Sequence, residues 1–456
     1  MRPGPRRPRP DARRAGPLTR GTAPPRRPAD RARTPAAIPV SPAAATRPAT
    51  GAGPSAGATA TGRVVLRRGR DARARAGHLW VYAGEIERIL GEPAPGSPVD
   101  VVDARGEYLG TGYYNPASNI AVRLVAYAPG VVFGPDLLKA RIEAALAYRE
   151  RLGLTGEALR LVSSDGDGIP GLTVDRYGDQ LVVQIGTLGL DRLRADLTAI
   201  LVDLIQPRGI FERSDLPTRT HEGLGPVTGV LHGEVPDVVE VEVDGVRLEA
   251  PIRSGQKTGL FLDHRQNRRE VQALADGRRV LDVFCNSGGF ALAALRGGAR
   301  EALGIDSSAE ALAAATRNAA RNGVEDRARF VEGNAFDLLK KMERSGERFD
   351  LVVLDPPAFT KSRDSVEAAR RGYKEINLRA LRLASPGGIV VTASCSYHIA
   401  PEAFLDILVD AAADAGREVT LLSYGGQGAD HPVNLAMPET RYLKCAFLVV
   451  RAASSG

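Results

Sequence analysis

VLDVFCNSGGF, residues 280–290, followed by EALGID at 301–306, is the stretch on which the fold turns. The first run reads as an apolar strand, a tight turn through Gly288 and Gly289, and the opening of a helix. Glycine suits a turn where backbone must approach a ligand closely, since a Cβ would fill the ligand's space. The second run is another apolar strand, and it ends in Asp306, 17 residues beyond Gly289. An acid at that strand end is placed to accept hydrogen bonds from ribose hydroxyls. Strand, glycine turn, helix and acid-tipped strand together open a parallel, doubly wound α/β sheet of the Rossmann-like kind.

The alternation continues in both directions. Strands are expected at 280–284, 302–306, 328–332, 351–355, 388–393, 418–423 and 444–451, with the clearest helices at 309–322 and 365–383. The first of these helices closes on Asn322 and Gly323, a normal helix end. Ligands in such sheets lie outside the carboxyl ends of the strands. Phe284, Gly288, Gly289 and Asp306 should therefore share a pocket with the third strand tip, where Glu332 precedes Gly333 and Asn334. Asn334 is a candidate for the edge of an adenine, or else an ordinary loop residue. The turn does not match GxGxxG, the form that cradles a pyrophosphate, so NAD fits poorly. A nucleoside without phosphates, such as S-adenosyl-L-methionine, needs only the turn and the ribose acid.

Two further strand tips carry chemistry. FDLVVLDPPAF (349–359) delivers Asp355, and GIVVTASCSY (388–397) delivers a lone thiol, Cys395. Most free cysteines are small buried hydrophobes, which suits Cys445 within KCAFLVV and Cys285 in the glycine turn. Cys395 differs because Thr392, Ala393 and Ser394 before it are small and suit close approach. Carbon 5 of cytosine is a poor nucleophile, and methylating it requires a covalent partner on carbon 6. A thiolate serves that purpose when its surroundings lower its pKa. Asp355, protonated or sharing a proton with ring nitrogen 3, would offset the charge developing on the base. The base that removes the carbon 5 proton is not identifiable from sequence. A competing reading takes Asp355, Pro356, Pro357 and the aromatic at 359 as an amine-binding, base-stacking segment for nitrogen methylation, where no cysteine is needed. Either mechanism requires the target base to be extruded from RNA.

The rest of the chain sets the context. Its 456 residues exceed one core, so two or three domains are expected. Residues 1–61 hold 13 of the 31 prolines, with little apolar content, and read as a disordered tail. Their prolines oppose the amphipathic helix of a transit peptide. Residues 1–62 carry 12 Arg and two Asp, a charge of +10, so the total of +7 leaves −3 for the remainder. The tail can add salt-sensitive attraction to RNA but no sequence specificity. No apolar run reaches about 18 residues, so no membrane span is expected, nor is a secretory signal. Three cysteines fit a reducing, cytoplasmic setting. His78, His264, His398 and His431 are too scattered for a recognisable metal site.

Short strands at 64–66, 98–102, 108–114 and 120–126, with a helical turn near 70–76, suggest a small β-rich domain over 62–132. Arg67, Arg68, Arg70, Arg73 and Arg75 cluster against a single acid, Asp71. Such a run is usually a solvated face, but beside Trp80, Tyr82, Tyr113 and Tyr114 it reads as an RNA-binding surface. A connecting helix at 137–152 and a small α+β region fill 133–250, with a hairpin turn near 177–180, a helix at 191–204 and strands at 209–212 and 238–248. The doubly wound domain occupies 251–456.

Several of these segments together resemble one group, the S-adenosylmethionine-dependent large-subunit rRNA methyltransferases that carry an N-terminal PUA domain and form 5-methylcytosine in 23S rRNA. LRRGRDARARAGHLWVYAGEI is similar to that family's PUA start and YLGTGYYNPASNIAVRLV to its later strands. DGIPGLTVDRYGD resembles the opening hairpin of its central domain, and SGQKTGLFLDHRQNR (254–268) the segment that closes the cofactor pocket. DPPAF, SCS and ADHPV (429–433) complete the set. The resemblance covers 63–456 and implies a class I methyltransferase sheet, S-adenosyl-L-methionine as cofactor and 23S rRNA as partner. By position it implies that Asp306 binds the ribose, Gly288 passes the methionine part, Asp355 holds the target base beside the cofactor and Cys395 is the nucleophile. Asn334 stands where the family more often has Asp. A non-catalytic RNA-binding or assembly factor on the same fold is the alternative from another class. Oligomeric state stays open, a homodimer being one arrangement.

Overall fold

The computed structural model describes residues 60, 62–360 and 365–451. The tail read over 1–61 lies, but for residue 60, outside them. The N-terminal body is a six-stranded sheet built from β1 (Gly62–Leu66), β2 (Trp80–Val81), β3 (Ile86–Leu90), β4 (Pro98–Val102), β5 (Tyr108–Tyr114) and β6 (Val122–Ala126), with the one-turn helix α1 (Ala72–Arg75) after β1. The strand order is β2-β6-β5-β4-β1-β3. Val64, Leu66, Val99, Val101, Val122 and Leu124 alternate inward to make its core. At the bulge between Thr111 and Gly112 the chains run so close that a Cβ on Gly112 would lie 2.2 Å from the Arg123 carbonyl oxygen. Two strands escaped the sequence pattern. β2 is only two residues long, and β3 shows little alternation because it lies half exposed at the sheet edge.

The central body follows. Helix α2 (Pro135–Arg151) leads into β7 (Ala158–Ser163), β8 (Leu172–Tyr177), β9 (Gln180–Ile185), α3 (Leu188–Arg192), α4 (Arg194–Ile205), β10 (Gly209–Ser214) and β11 (Val227–Gly233), and the sheet order is β11-β10-β9-β8-β7. The single helix expected over 191–204 is two, α3 and α4, meeting at Leu193. The segment read as strand over 238–248 is a hairpin of β12 (Val239–Val243) and β13 (Val246–Ala250). Its two-residue turn puts Asp244 at φ 53° and Gly245 at φ 79°, the left-handed pair that suits the twist of a tight hairpin.

The remaining elements alternate as expected: α5 (Arg265–Leu274), β14 (Arg279–Val283), α6 (Gly289–Arg296), β15 (Glu301–Asp306), α7 (Ala309–Arg321), β16 (Ala328–Glu332), α8 (Ala335–Arg344), β17 (Phe349–Leu354), α9 (Val366–Leu383), β18 (Ala384–Ser394), α10 (Pro401–Ala415), β19 (Val419–Gly425) and β20 (Lys444–Val450). Seven strands run in the order β16-β15-β14-β17-β18-β20-β19. The five from β16 to β18 are parallel, and β20 is antiparallel to both neighbours. The inner strands β14, β17, β18 and β20 are largely apolar because both faces are covered, while the edge strands β16 and β19 are partly exposed. Val280, Val353 and Val391 face the core made with α5, α6 and α7, while Leu281, Val352 and Val390 face α8, α9 and α10. The β12–β13 hairpin joins the first of these layers: Leu248 packs in the core with Leu292, and the Glu249 carboxylate takes both Arg317 and Arg321 of α7.

Strand order reverses between β14 and β17, and a crevice is expected outside their carboxyl ends. The segment 426–442, between β19 and β20, ties this body to the other two. The buried Arg149 of α2 donates to Asp167 at 2.6 Å and to the Asp430 carbonyl at 2.6 Å. The Leu79 N–H points at the Met437 sulfur at 3.1 Å. Among the described residues no helix is long and apolar enough to cross a membrane.

Candidate active site

The turn after β14 is held in an unusual backbone form. Phe284 (φ 65°), Asn286 (φ 48°) and Gly288 (φ 82°) all lie in the left-handed region. Asp306, at the tip of β15, organises it: its Oδ2 accepts the Asn286 N–H at 2.9 Å and its Oδ1 accepts the Ser308 N–H at 3.0 Å. A second lone pair on each oxygen is left over. Gly288 is also required by the protein itself. A Cβ there would meet Phe330 at 3.2 Å and Ala315 at 3.3 Å, inside the protein, on top of the positive φ. Gly289 opens α6 with ordinary clearance of 3.5 Å to Arg268.

Below the turn Asp282 is fully buried. Its Oδ2 accepts the Ala291 N–H at 2.9 Å, capping α6, and its Oδ1 has no partner. Burial pushes this carboxyl up to about 7, and the neighbouring charges of Asp355 and Asp306 add to the rise. Three carboxylates thus bear on one crevice. A ligand that carries a sulfonium and an ammonium beside a ribose would complement them, so these residues could hold S-adenosylmethionine, with Asp282 and Asp355 near the positive end and Asp306 near the ribose. Asn334 caps α8 by accepting the Phe336 N–H at 2.9 Å, and its Nδ2 makes no hydrogen bond among the described residues.

Asp355 follows β17 directly, and its carboxylate oxygen lies 3.2 Å from His264 Nε2. The tautomer of that histidine is set from behind. Asn267 Nδ2 is 3.0 Å from His264 Nδ1 and 3.1 Å from the Gly426 carbonyl. A carbonyl accepts only, so Nδ2 is the donor to both, Nδ1 is the acceptor, and Nε2 carries the proton toward Asp355. The ring is buried and packs edge-on against Phe290 at 5.3 Å.

Cys395 is the first residue beyond β18 and is half-buried. The residue after it is fixed at two points: Ser396 Oγ lies 2.9 Å from the Tyr373 hydroxyl, and the Ser396 carbonyl accepts from Lys444 Nζ at 2.7 Å. Lys444 starts β20 opposite Ser394, so the antiparallel register puts its amine under the thiol-bearing turn. It also donates to the Tyr442 carbonyl at 3.1 Å and is 2% exposed. Burial pushes the Cys395 thiol up, Asp355 and Asp263 push the same way, and Lys257 and Lys444 oppose them. Burial pulls Lys444 down to about 8, against the pull of Cys395. Asp263, buried, is held well below the usual carboxylate range by Lys257, whose amine is 2.7 Å away, with His264 and His431 adding. Tyr442 donates to the same carboxylate at 2.8 Å. Cys285 and Cys445 are buried, and burial raises both thiols.

The basic stripe divides. Arg67, Arg68 and Arg70 are exposed and unpaired among the described residues. Arg73 is paired with Glu85 at 2.6 Å and lies over the Tyr82 ring, and Arg75 is shared by Asp71, Asp103 and Glu107 at 2.6, 2.6 and 2.9 Å. Tyr113, grouped above with the stacking aromatics, is core instead: it is 1% exposed and its hydroxyl donates to the Pro170 carbonyl at 2.6 Å. Sequence reasoning missed His264, Lys444, Lys257 and Asp263. His264, Lys257 and Asp263 lie within SGQKTGLFLDHRQNR, whose density of polar residues before a helix was the available signal. Lys444 had none, since its place follows from strand register.

Residues 64–127 match the PUA-like domain family, and residues 226–422 match the S-adenosylmethionine-dependent methyltransferase family. The fold and the crevice thus define a methyltransferase that uses S-adenosylmethionine and carries a PUA-like domain. A protein of Tolumonas auensis named ribosomal RNA large subunit methyltransferase I is 41% identical over 394 residues, covering 85% of this chain and 99% of that one. Its namesake from Photobacterium profundum is 40% identical over 391 residues, covering 84% and 98%. The chain belongs to this ribosomal RNA large subunit methyltransferase I family. A methyltransferase structure complexed with SAH superposes at a TM-score of 0.74 and 20% identity, covering 85% of this chain and all of that one, which bears on the fold alone.

Proposed function

We propose that this protein methylates carbon 5 of a cytosine in 23S ribosomal RNA through a covalent adduct with Cys395. The observation that carries the reading is the setting of that thiol: it stands one strand from Asp355, with a buried amine, Lys444, pinned beneath it. The names of the relatives supply the RNA class.

S-adenosylmethionine, when bound, supplies an electrophilic methyl group. Cys395 gives up its proton and its sulfur bonds to carbon 6 of the extruded base, which moves electron density to carbon 5. Asp355, supported by the His264 N–H, holds the ring nitrogen 3 side and offsets the charge that develops there. Carbon 5 takes the methyl group and loses its proton to a base, the sulfur–carbon 6 bond breaks, and the thiolate returns.

The nitrogen-methylation reading needs a free aromatic after Asp-Pro-Pro. Phe359 is occupied instead, 4.6 Å from the Tyr373 ring and 6.1 Å from Phe336. The reading as a non-catalytic RNA-binding factor leaves the buried Lys444 beneath Cys395 without a purpose. The test is Cys395→Ala with methyl-labelled cofactor and 23S rRNA, together with wild type and RNA bearing 5-fluorocytosine, which has no proton to lose. Transfer should fall to background in the variant, and the fluorinated RNA should remain covalently attached to wild type. Undiminished transfer by Cys395→Ala would sink the proposal.

A further inference from the structure

A half-open cavity of about 460 Å³ lies between the N-terminal and central bodies, and its lining includes none of Asp306, Asp355, Cys395 and Lys444. Its floor is part of the central sheet, where Thr173 of β8 and Gln184 of β9 are direct cross-strand partners. Both side chains are half-buried and make no hydrogen bond among the described residues. A partly buried amide without a partner is costly unless something from outside satisfies it. The apolar part of the walls comes from Trp80 of the N-terminal body, with Ile120 and Leu216, and Asn119, Thr187 and Thr218 are among the polar residues between them. Trp80 is held by its edge, since its Nε1–H donates to Asp165 at 2.7 Å.

Charge narrows the ligand class. Four ionisable groups line the cavity. Arg123, which lies 5.7 Å from the centre of the Trp80 ring on one face, is matched by Glu222 at 2.8 Å. Asp165 is an acid that burial pushes toward its neutral form, and His221 is exposed. No arginine or lysine in the lining is left over for a phosphate. What fits is a flat, neutral ligand with apolar faces and polar edges. A carboxamide offers a donor and an acceptor side by side, which is how amide side chains read a base edge, and an indole is a stacking platform for unpaired bases.

We propose that this cavity takes an unpaired base of the RNA substrate, stacked on Trp80 with its edge bonded to Gln184 and Thr173. The inference rests on the reading of RNA as substrate and names a second base-holding site besides the one at Cys395. The cavity thereby fixes the RNA by one nucleotide outside the reacting one.

The test uses the full chain, a 23S rRNA transcript, and two variants: Trp80→Leu, and Gln184→Leu with Thr173→Val, which keeps the Trp80–Asp165 bond. Each should raise the Kd for the transcript about tenfold, within what loss of one stacked base costs. KM for RNA should rise with it, while kcat and the Kd for S-adenosylmethionine stay unchanged. If Trp80→Leu fails to bind S-adenosylmethionine and so has not folded, the double variant decides. A double variant with unchanged RNA affinity overturns the proposal while leaving the methyltransferase reading intact. Wild type that binds no 23S rRNA defeats both. In a separate arm, tight binding of free nucleosides to wild type, lost in the double variant with no loss of RNA affinity, would assign the cavity to a free nucleoside and overturn the RNA assignment.

Discussion

A charged amine has three N–H groups. Lys444 spends two of them on the Ser396 and Tyr442 carbonyls. Its charge lies close enough to favour the thiolate form of Cys395. Lys444→Met removes the cation that favours the thiolate, so the Cys395 pKa should rise. Iodoacetamide labelling of Cys395, followed by mass spectrometry across pH 6–10, should show an alkaline shift of at least about one unit and roughly tenfold slower labelling near neutrality. Asp282 makes a second prediction. Its folded pKa is raised to about 7 from an unfolded value near 3.9. Between those values the folded chain holds a proton the unfolded chain has lost, so this group's contribution to stability falls as pH rises through the window. A cationic ligand prefers the ionised form. S-adenosylmethionine affinity should therefore climb through pH 7 in wild type and lose that climb in Asp282→Asn, as read by calorimetric titration. The strand-tip residues Asp306, Asp355 and Cys395 were legible because an apolar run points to its own end. His264 was not, because its meaning depends on Asn267 and Gly426, the latter far away in sequence.

Elements were legible where they are long and buried on both faces, and illegible where they are short or at an edge. β14, β17 and β18 stood out as largely apolar runs, whereas β2 and β3 did not. The α3–α4 break passed unseen because residues on both sides of Leu193 carry helical spacing. Glycines could be read as necessary, but their internal contacts, such as those of Gly288 with Phe330 and Ala315, could not. Gly304 makes the point testable at the level of the strand pair. A Cβ there would lie 2.5 Å from the Phe330 ring and 2.9 Å from the Cys285 sulfur. Gly304→Val should cost roughly 1–3 kcal/mol by overpacking and weaken cofactor binding by displacing the turn through Cys285, which thermal unfolding and cofactor titration would register together. Removing the α8 cap with Asn334→Ala should cost about 1 kcal/mol, and Asn334→Asp should restore the loss.

Three bodies meet at the 426–442 segment, and their coupling is an equilibrium property of the whole chain. Arg149 is the central pin, 2% exposed and bonded to Asp167 and the Asp430 carbonyl. Arg149→Met strands a buried carboxylate and should destabilise by roughly 3 kcal/mol or more. Calorimetry of wild type should show one cooperative transition for the described bodies, and of the variant a separated one. A variant that unfolds at the wild-type temperature in one step would remove the coupling claim. Sequence pattern located each body but not these ties, since a bond between residues about 280 apart leaves no periodic trace.

The reversed direction of β20 also has a consequence in time. The ribosome delivers Cys395 and every parallel strand before it delivers Lys444, which must then thread back between β18 and β19. A nascent chain can thus hold its cofactor turn and its thiol while the cation that favours the thiolate is still unmade, so methylating competence should arrive in one step as β20 docks.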